Sequence, residues 1–232
     1  MGIKQRRRRE KEQRRRQILD AARELLFSKG LNAISVNQIA RQAELAVGTI
    51  YFYFRSKEDI FAVLQEEGLE LLLEDVRRAL KGSVDARESL HRIAQAYLNF
   101  SLERKNYFDV INYFLSAADV VFAPEIKQQI DEHGNRILKV VEGALRDGID
   151  QGHFEPVDPR RHALLFWVIL HGLLPFRKMK DTLLGGDSHV AFYRFAVDNF
   201  IGGLSPKRMT TSASVPNRGG RGENKAPRDH HD

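Results

Sequence analysis

Between Ile34 and Lys57 the chain carries two short stretches of helical spacing separated by only Glu44-Leu45-Ala46. The first opens on Ser35-Val36-Asn37-Gln38, a capping-box pattern in which Ser35 accepts from the start of the helix and Gln38 reaches back, and it runs to about Ala43. The second covers Val47 to Phe54. Two short helices on so short a joint form a helix-turn-helix. At about 100° per residue, Ile50, Tyr53 and Phe54 share one face and can pack on Ile39, Ala40 and Ala43. The other face presents Gly48 and Phe52, flanked by Thr49, Tyr51 and Arg55. The run Tyr51-Phe52-Tyr53-Phe54 cannot all be core, because one helix does not bury four consecutive side chains against one neighbour. Phe52 must look outward.

The same periodicity runs through the rest of the chain. Ile18, Ala22, Leu25 and Leu26 recur at helical spacing before Gly30, which predicts a first helix from about Arg9 to Lys29. Ser56 with Asp59 three residues on opens a long helix through Ile60, Phe61, Leu64, Leu71, Leu72 and Leu80, and Asp85 with Glu88 opens another. Further helices are expected over Asn106–Ala118, after Pro124, from Asp158-Pro159 to about Arg177, and from Ser188 to Ile201. No alternating stretch of strand type occurs. The fold class expected is therefore all-α, with about nine helices: a small N-terminal unit at 14–60 and a larger helical domain at 61–204.

A chain of 232 residues with 42% hydrophobic content can bury its own core, and the absence of Cys removes disulfides, thiolate metal sites and cysteine nucleophiles. No apolar run follows the basic N-terminus as a secretion signal would require. The most apolar stretch, Ala163 to Phe176, is shorter than the roughly 20 residues of a membrane span and is broken by His171 and Pro175. It reads as a buried helix of a cytoplasmic protein with no membrane partner. The net charge of +6 is concentrated: Lys4 to Arg16 holds nine basic residues and two acids, +7, against −1 for everything else. Residues 1–13 are expected to be a disordered basic arm able to release counterions from nucleic-acid phosphates. A solvated charge run without a partner is the bland alternative. From Ser205 to Asp232 the composition turns to Ser, Pro, Gly, Asn and Arg, which predicts a disordered tail.

In a DNA major groove Phe52 could contact thymine methyl groups, Tyr51 could reach a phosphate and Thr49 could do either, while Gly48 would let the backbone come close. The string Val36-Asn37-Gln38-Ile39-Ala40, followed by Val47-Gly48-Thr49-Ile50-Tyr51-Phe52-Tyr53-Phe54-Arg55-Ser56-Lys57-Glu58, resembles the signature of the TetR family of bacterial regulators. That resemblance covers about residues 14–62. It implies that Ser35 and Asn37 face the DNA, that Ala46, Val47, Gly48, Thr49, Tyr51 and Phe52 are recognition-helix contacts, and that Lys57 clamps a phosphate. Two positions depart from the pattern: Glu44 stands where a glycine is common in the turn, and Phe52 where a histidine is often found.

The resemblance further implies a homodimer on a near-palindromic operator, with half-sites about one helical turn apart, and a larger domain that holds a small-molecule effector. The interface expected is Leu164, Leu165, Val168, Leu173, Phe192, Phe195, Ala196 and Phe200; packing within one chain is the alternative. Aromatics concentrate in the middle of the chain at Tyr97, Phe100, Tyr107, Phe108, Tyr113, Phe114, Phe122, Phe166 and Trp167. They are ordinary core individually, but as a set they suit a mostly apolar pocket for an aromatic or acyl effector. Its candidate lining is Tyr97, Phe100, Asn112, Tyr113, Phe166, Trp167 and His171.

Enzyme motifs are missing: there is no HExxH, P-loop or GxSxG, so no catalytic residue, metal site or cofactor is expected. His162 and His171, nine apart on one helix, point to opposite sides and cannot share a metal. The remaining rival is a sequence-nonspecific nucleic-acid binder acting through the arginine-rich arm.

Overall fold

The computed structural model describes residues 3–83, 85–116, 124–179 and 188–206. Every regular element among them is helical: α1 (Ile3–Lys29), α2 (Val36–Gln42), α3 (Val47–Tyr53), α4 (Lys57–Leu80), α5 (Ala86–Glu103), α6 (Lys105–Ser116), α7 (Pro124–Asp150), α8 (Pro159–Leu173) and α9 (His189–Gly203), with 3₁₀ segments at Leu31–Ala33 and Leu174–Met179. The starts follow the caps read from sequence. Ser35 and Gln38 form a complete capping box, and Ser56, Asp85, Asp158 and Ser188 accept from the third residue of their helices. Pro175 cannot donate a backbone N–H, and α8 gives way to a 3₁₀ segment at Leu174, four residues earlier than the spacing predicts. Phe122 and everything after Pro206 lie outside the described residues.

The buried side chains form two cores. One gathers Ile18, Ala22, Leu25 and Leu26 of α1 with Ile39, Ala40, Ile50, Phe54, Ile60, Phe61 and Leu64. The other joins Leu69 to Val76 of α4 with α5, α7, α8 and α9. Helix α4 therefore runs from one core into the other. So does α6, which gives Val110 to the first core and Tyr107, Phe108 and Ile111 to the second. Gly68 permits this crossing, since a Cβ there would stand 3.1 Å from Tyr107.

Two expectations are corrected. The first helix begins at Ile3 rather than near Arg9, and the basic leader is a continuous part of it, carrying i,i+4 pairs from Arg6 to Glu10 and Arg8 to Glu12. Ala163 to Phe176 is not buried all round, because Leu164, Leu165 and Val168 are 51, 48 and 56% exposed within the single chain.

Candidate DNA-binding face and effector-domain centre

Helix α3 is held by one side. Ile50 and Phe54 are buried at 1 and 4% exposure, and Tyr53 is half-buried. The joint before it bends through Glu44 at φ 54, so the turn takes the left-handed geometry that a glycine would adopt without strain. Leu45 N–H then donates to Ala40 O at 2.9 Å, which fixes the angle between α2 and α3.

The outward side is the one expected. Phe52 is 76% exposed, Tyr51 53% and Val47 36%; Ala46 and Gly48 are exposed, and Thr49 is half-buried. The Phe52 ring leans edge-on against Tyr53 at 5.1 Å, which orients it without covering it. A Cβ on Gly48 would meet no protein atom within 4 Å, so the fold itself does not require glycine there. Ser35 and Asn37 are exposed at the start of α2, although the Ser35 hydroxyl already donates to Gln38 Oε1 and accepts from Gln38 N–H. Lys57, the first residue of α4, is half-buried with its ammonium 5.4 Å from the Phe61 ring centre.

The expected effector-pocket residues do not all converge. Tyr97, Trp167 and His171 do: the rings of Tyr97 and Trp167 are 4.8 Å apart, Trp167 stacks on His171, and the Tyr97 hydroxyl lies 2.6 Å from His171 Nδ1. Burial pushes Tyr97 up and His171 down, so both stay neutral near pH 7; with its proton on Nε2, the imidazole accepts from the tyrosine hydroxyl. Phe108, not among the candidates, lies against both Tyr97 and His171. Phe100 and Phe166 are fully buried in the same core, Phe166 against Phe200. Tyr113 sits elsewhere, edge-on to Phe61 and Phe114 beside the DNA-binding core, and Asn112 is half-buried on the same helix. The cause is the two-sided role of α6, which gives Tyr107, Phe108 and Ile111 to one core and Val110, Tyr113 and Phe114 to the other.

The family pattern described as "Bacterial regulatory proteins, tetR family" matches residues 18–64, and that described as "Tetracyclin repressor-like, C-terminal domain" matches residues 90–200. The chain belongs to the TetR family. It is 31% identical over 139 residues to the fatty acid metabolism regulator protein of Bacillus subtilis (strain 168), a stretch covering 60% of this chain and 70% of that one. The transcriptional repressor KstR2 of Mycobacterium tuberculosis is 26% identical over 142 residues, 61% of this chain and 70% of its own. Among solved structures, FadR from Bacillus subtilis in complex with stearoyl-CoA superposes with a TM-score of 0.63 at 27% identity, covering 81% of this chain and 98% of that one. This chain is thus a transcriptional regulator with a DNA-binding helix-turn-helix.

Features of this TetR-family chain that sequence reasoning missed lie where its two units meet. Arg23 of α1 donates from Nε and Nη2 to the two carboxylate oxygens of Glu67 on α4, at 3.1 and 2.8 Å, and Tyr107 of α6 donates to the same carboxylate at 3.2 Å. The carboxylate raises Arg23 above its already high range, and burial followed by the Glu67 charge raises Tyr107. A cleft of about 460 Å³ opens nearby between the end of α3, α4 and α7, lined by Arg15, Phe54, Arg55, Asp59, Glu66 and His133.

On the far side, Leu164, Leu165 and Val168 of α8 and Phe195 of α9 are exposed, while Leu173, Phe192, Ala196 and Phe200 are half-buried. Among the described residues no helix is long and apolar enough to cross a membrane, and no cluster of three or more His, Cys, Asp or Glu could hold a metal ion.

Proposed function

We propose that this regulator is a cytoplasmic repressor that binds a near-palindromic operator as a homodimer and is released by a small, largely apolar effector. The observation that carries the DNA part is Phe52, 76% exposed on a helix whose opposite face buries Ile50 and Phe54. An exposed aromatic beside Gly48 and Tyr51 suits the methyl groups and sugar edges of a major groove better than water. Ala46, Val47, Thr49, Ser35 and Asn37 complete the reading surface, and Lys57 supplies a phosphate contact that any sequence offers.

The exposed apolar strip of α8 and α9 supports dimerisation, because a second copy of the same strip would cover it about a two-fold axis. Tyr97, Phe108, Trp167 and His171 support effector binding: the apolar rings of Phe108 and Trp167 flank the neutral hydrogen-bonding pair of Tyr97 and His171, a combination that suits an acyl or aromatic ligand with one polar group. Several of these side chains fill the centre in the single chain, so entry of the effector requires them to move. That displacement would be felt by α6, which reaches from Phe108 to the DNA-binding core, and by α4. Occupancy then favours a dimer whose recognition helices no longer match the groove spacing.

Substitution separates the roles. With a duplex selected from a random library by the wild type, Thr49→Ala or Phe52→Ala should reduce preference for that duplex over random DNA by about 1–3 kcal/mol, whereas Lys57→Ala should weaken both alike. Equal loss on both duplexes from Phe52→Ala would show that Phe52 does not read the sequence, and a wild type that selects no duplex would leave only a nonspecific binder.

A further inference from the structure

The helical leader of α1 places its charges on one side. At about 100° per residue, Lys4, Arg7, Arg8, Lys11, Arg14 and Arg15 fall within a band about 120° wide. The band runs without a break into Ile18, Ala22, Leu25 and Leu26, the buried face of the same helix. Arg6, Arg9 and Arg16 lie on the opposite side with Glu10 and Glu12, where Arg6 pairs with Glu10. Thus the band carries six of the seven net charges of the segment, with Arg8 at its edge reaching Glu12. All of these residues are exposed.

The root of the band is fixed to the helix-turn-helix. Arg15 lies 5.0 Å over the ring of Phe54 at the end of α3, and Gln17 Nε2 donates to Ala43 O at the end of α2, at 2.8 Å. A continuous helix holds the charges in one register relative to α3, which a flexible arm could not do.

We propose that this band is a phosphate-binding edge that lies along duplex DNA on the flank of the half-site held by α3. The proposal rests on the DNA-binding reading above and adds a second, rigid contact to it. From Lys4 to Arg15 the helix rises about 17 Å, equal to about five base-pair steps. A lipid surface is disfavoured because no apolar residue occurs between Lys4 and Gln17, whereas an interfacial helix needs an apolar face.

The test uses the full chain and two charge-matched variants: Arg7→Gln with Lys11→Gln and Arg14→Gln on the band, and Arg6→Gln with Arg9→Gln and Arg16→Gln opposite it. Each is titrated against the library-selected duplex, with about ten base pairs of flank on each side and again trimmed to the protected core, at several salt concentrations. On the flanked duplex the band variant should bind about tenfold or more weakly and lower the salt slope by about three to five, near 0.9 for each of up to six phosphates in a dimer. The opposite variant should change the slope by less than about one, and on the trimmed duplex the two should coincide. Equal losses from both variants, or a band effect that survives trimming, overturns the proposal while leaving the operator reading intact. A wild type that selects no sequence overturns the operator reading itself. Intact DNA binding by the band variant, with loss of its capture by phosphatidylglycerol vesicles, would assign the band to a membrane and likewise overturn the proposal.

Discussion

Gly48→Ala separates what the fold needs from what the DNA needs. A Cβ at position 48 meets nothing within 4 Å, and the residue stands second in a seven-residue helix that has no side-chain cap at Ala46. In a helix interior alanine is favoured over glycine by about 1 kcal/mol, and in a first turn by about half of that. The variant should therefore be more stable by about 0.5 kcal/mol, a rise in melting temperature of about 1–2 °C for a chain of this size. If Gly48 lets the backbone approach the groove wall, the added methyl must push α3 outward. An effect of about 1.4 kcal/mol is tenfold in affinity, and a loss of at least that size is expected. Thermal denaturation by circular dichroism reads the first quantity, and fluorescence anisotropy on the library-selected duplex reads the second. Raised stability with unchanged affinity would show that Gly48 does not approach DNA. Lowered stability would refute the structural premise that the position is open.

Three further outcomes are expected. The Arg23–Glu67 pair is bidentate but about one-third exposed on each side, so a double-mutant cycle of Arg23→Gln and Glu67→Gln should give a coupling of about 1 kcal/mol in chemical denaturation; a value below about 0.3 would mark it as an ordinary surface pair. Gly148→Ala would set a Cβ 2.1 Å from Phe154 Cδ2 and 2.8 Å from Ala86 Cβ, which should cost about 3 kcal/mol; an unfolding midpoint equal to wild type would show that Phe154 yields freely. His171 is held below its ordinary value by burial, so its contribution to stability is present above about pH 6.5 and lost as pH falls through the folded value. Melting curves from pH 7.5 to 5 should show a steeper loss in wild type than in His171→Gln, and parallel curves would contradict this.

Local signals in the chain carried the architecture. Capping residues at Ser35, Ser56, Asp85, Asp158 and Ser188 mark helix starts because the interaction that makes a cap spans only three residues. The inward Ile50 and Phe54 and the outward Phe52 follow from angular spacing on a short helix with one neighbour. The turn was harder to read: Glu44 adopts the left-handed conformation because the contacts on both sides of it fix the joint, and its residue type gave no hint of this. Least legible were long-range groupings. Arg23, Glu67 and Tyr107 are 40 or more residues apart and, taken singly, look like members of solvated faces or core. Tyr113 fell outside the aromatic centre for a related reason: composition shows that α6 is rich in aromatics, but only packing shows that two cores divide them.

The central claim is that the outward face of α3 reads a near-palindrome in double-stranded DNA. Footprinting of the full chain on the DNA upstream of its own coding sequence tests it most directly. The account predicts one protected near-palindrome with two half-sites about one helical turn apart, with protection lost in Phe52→Ala at concentrations where wild type is saturating. Uniform protection of all DNA at the same concentration, unaffected by Phe52→Ala, would contradict it.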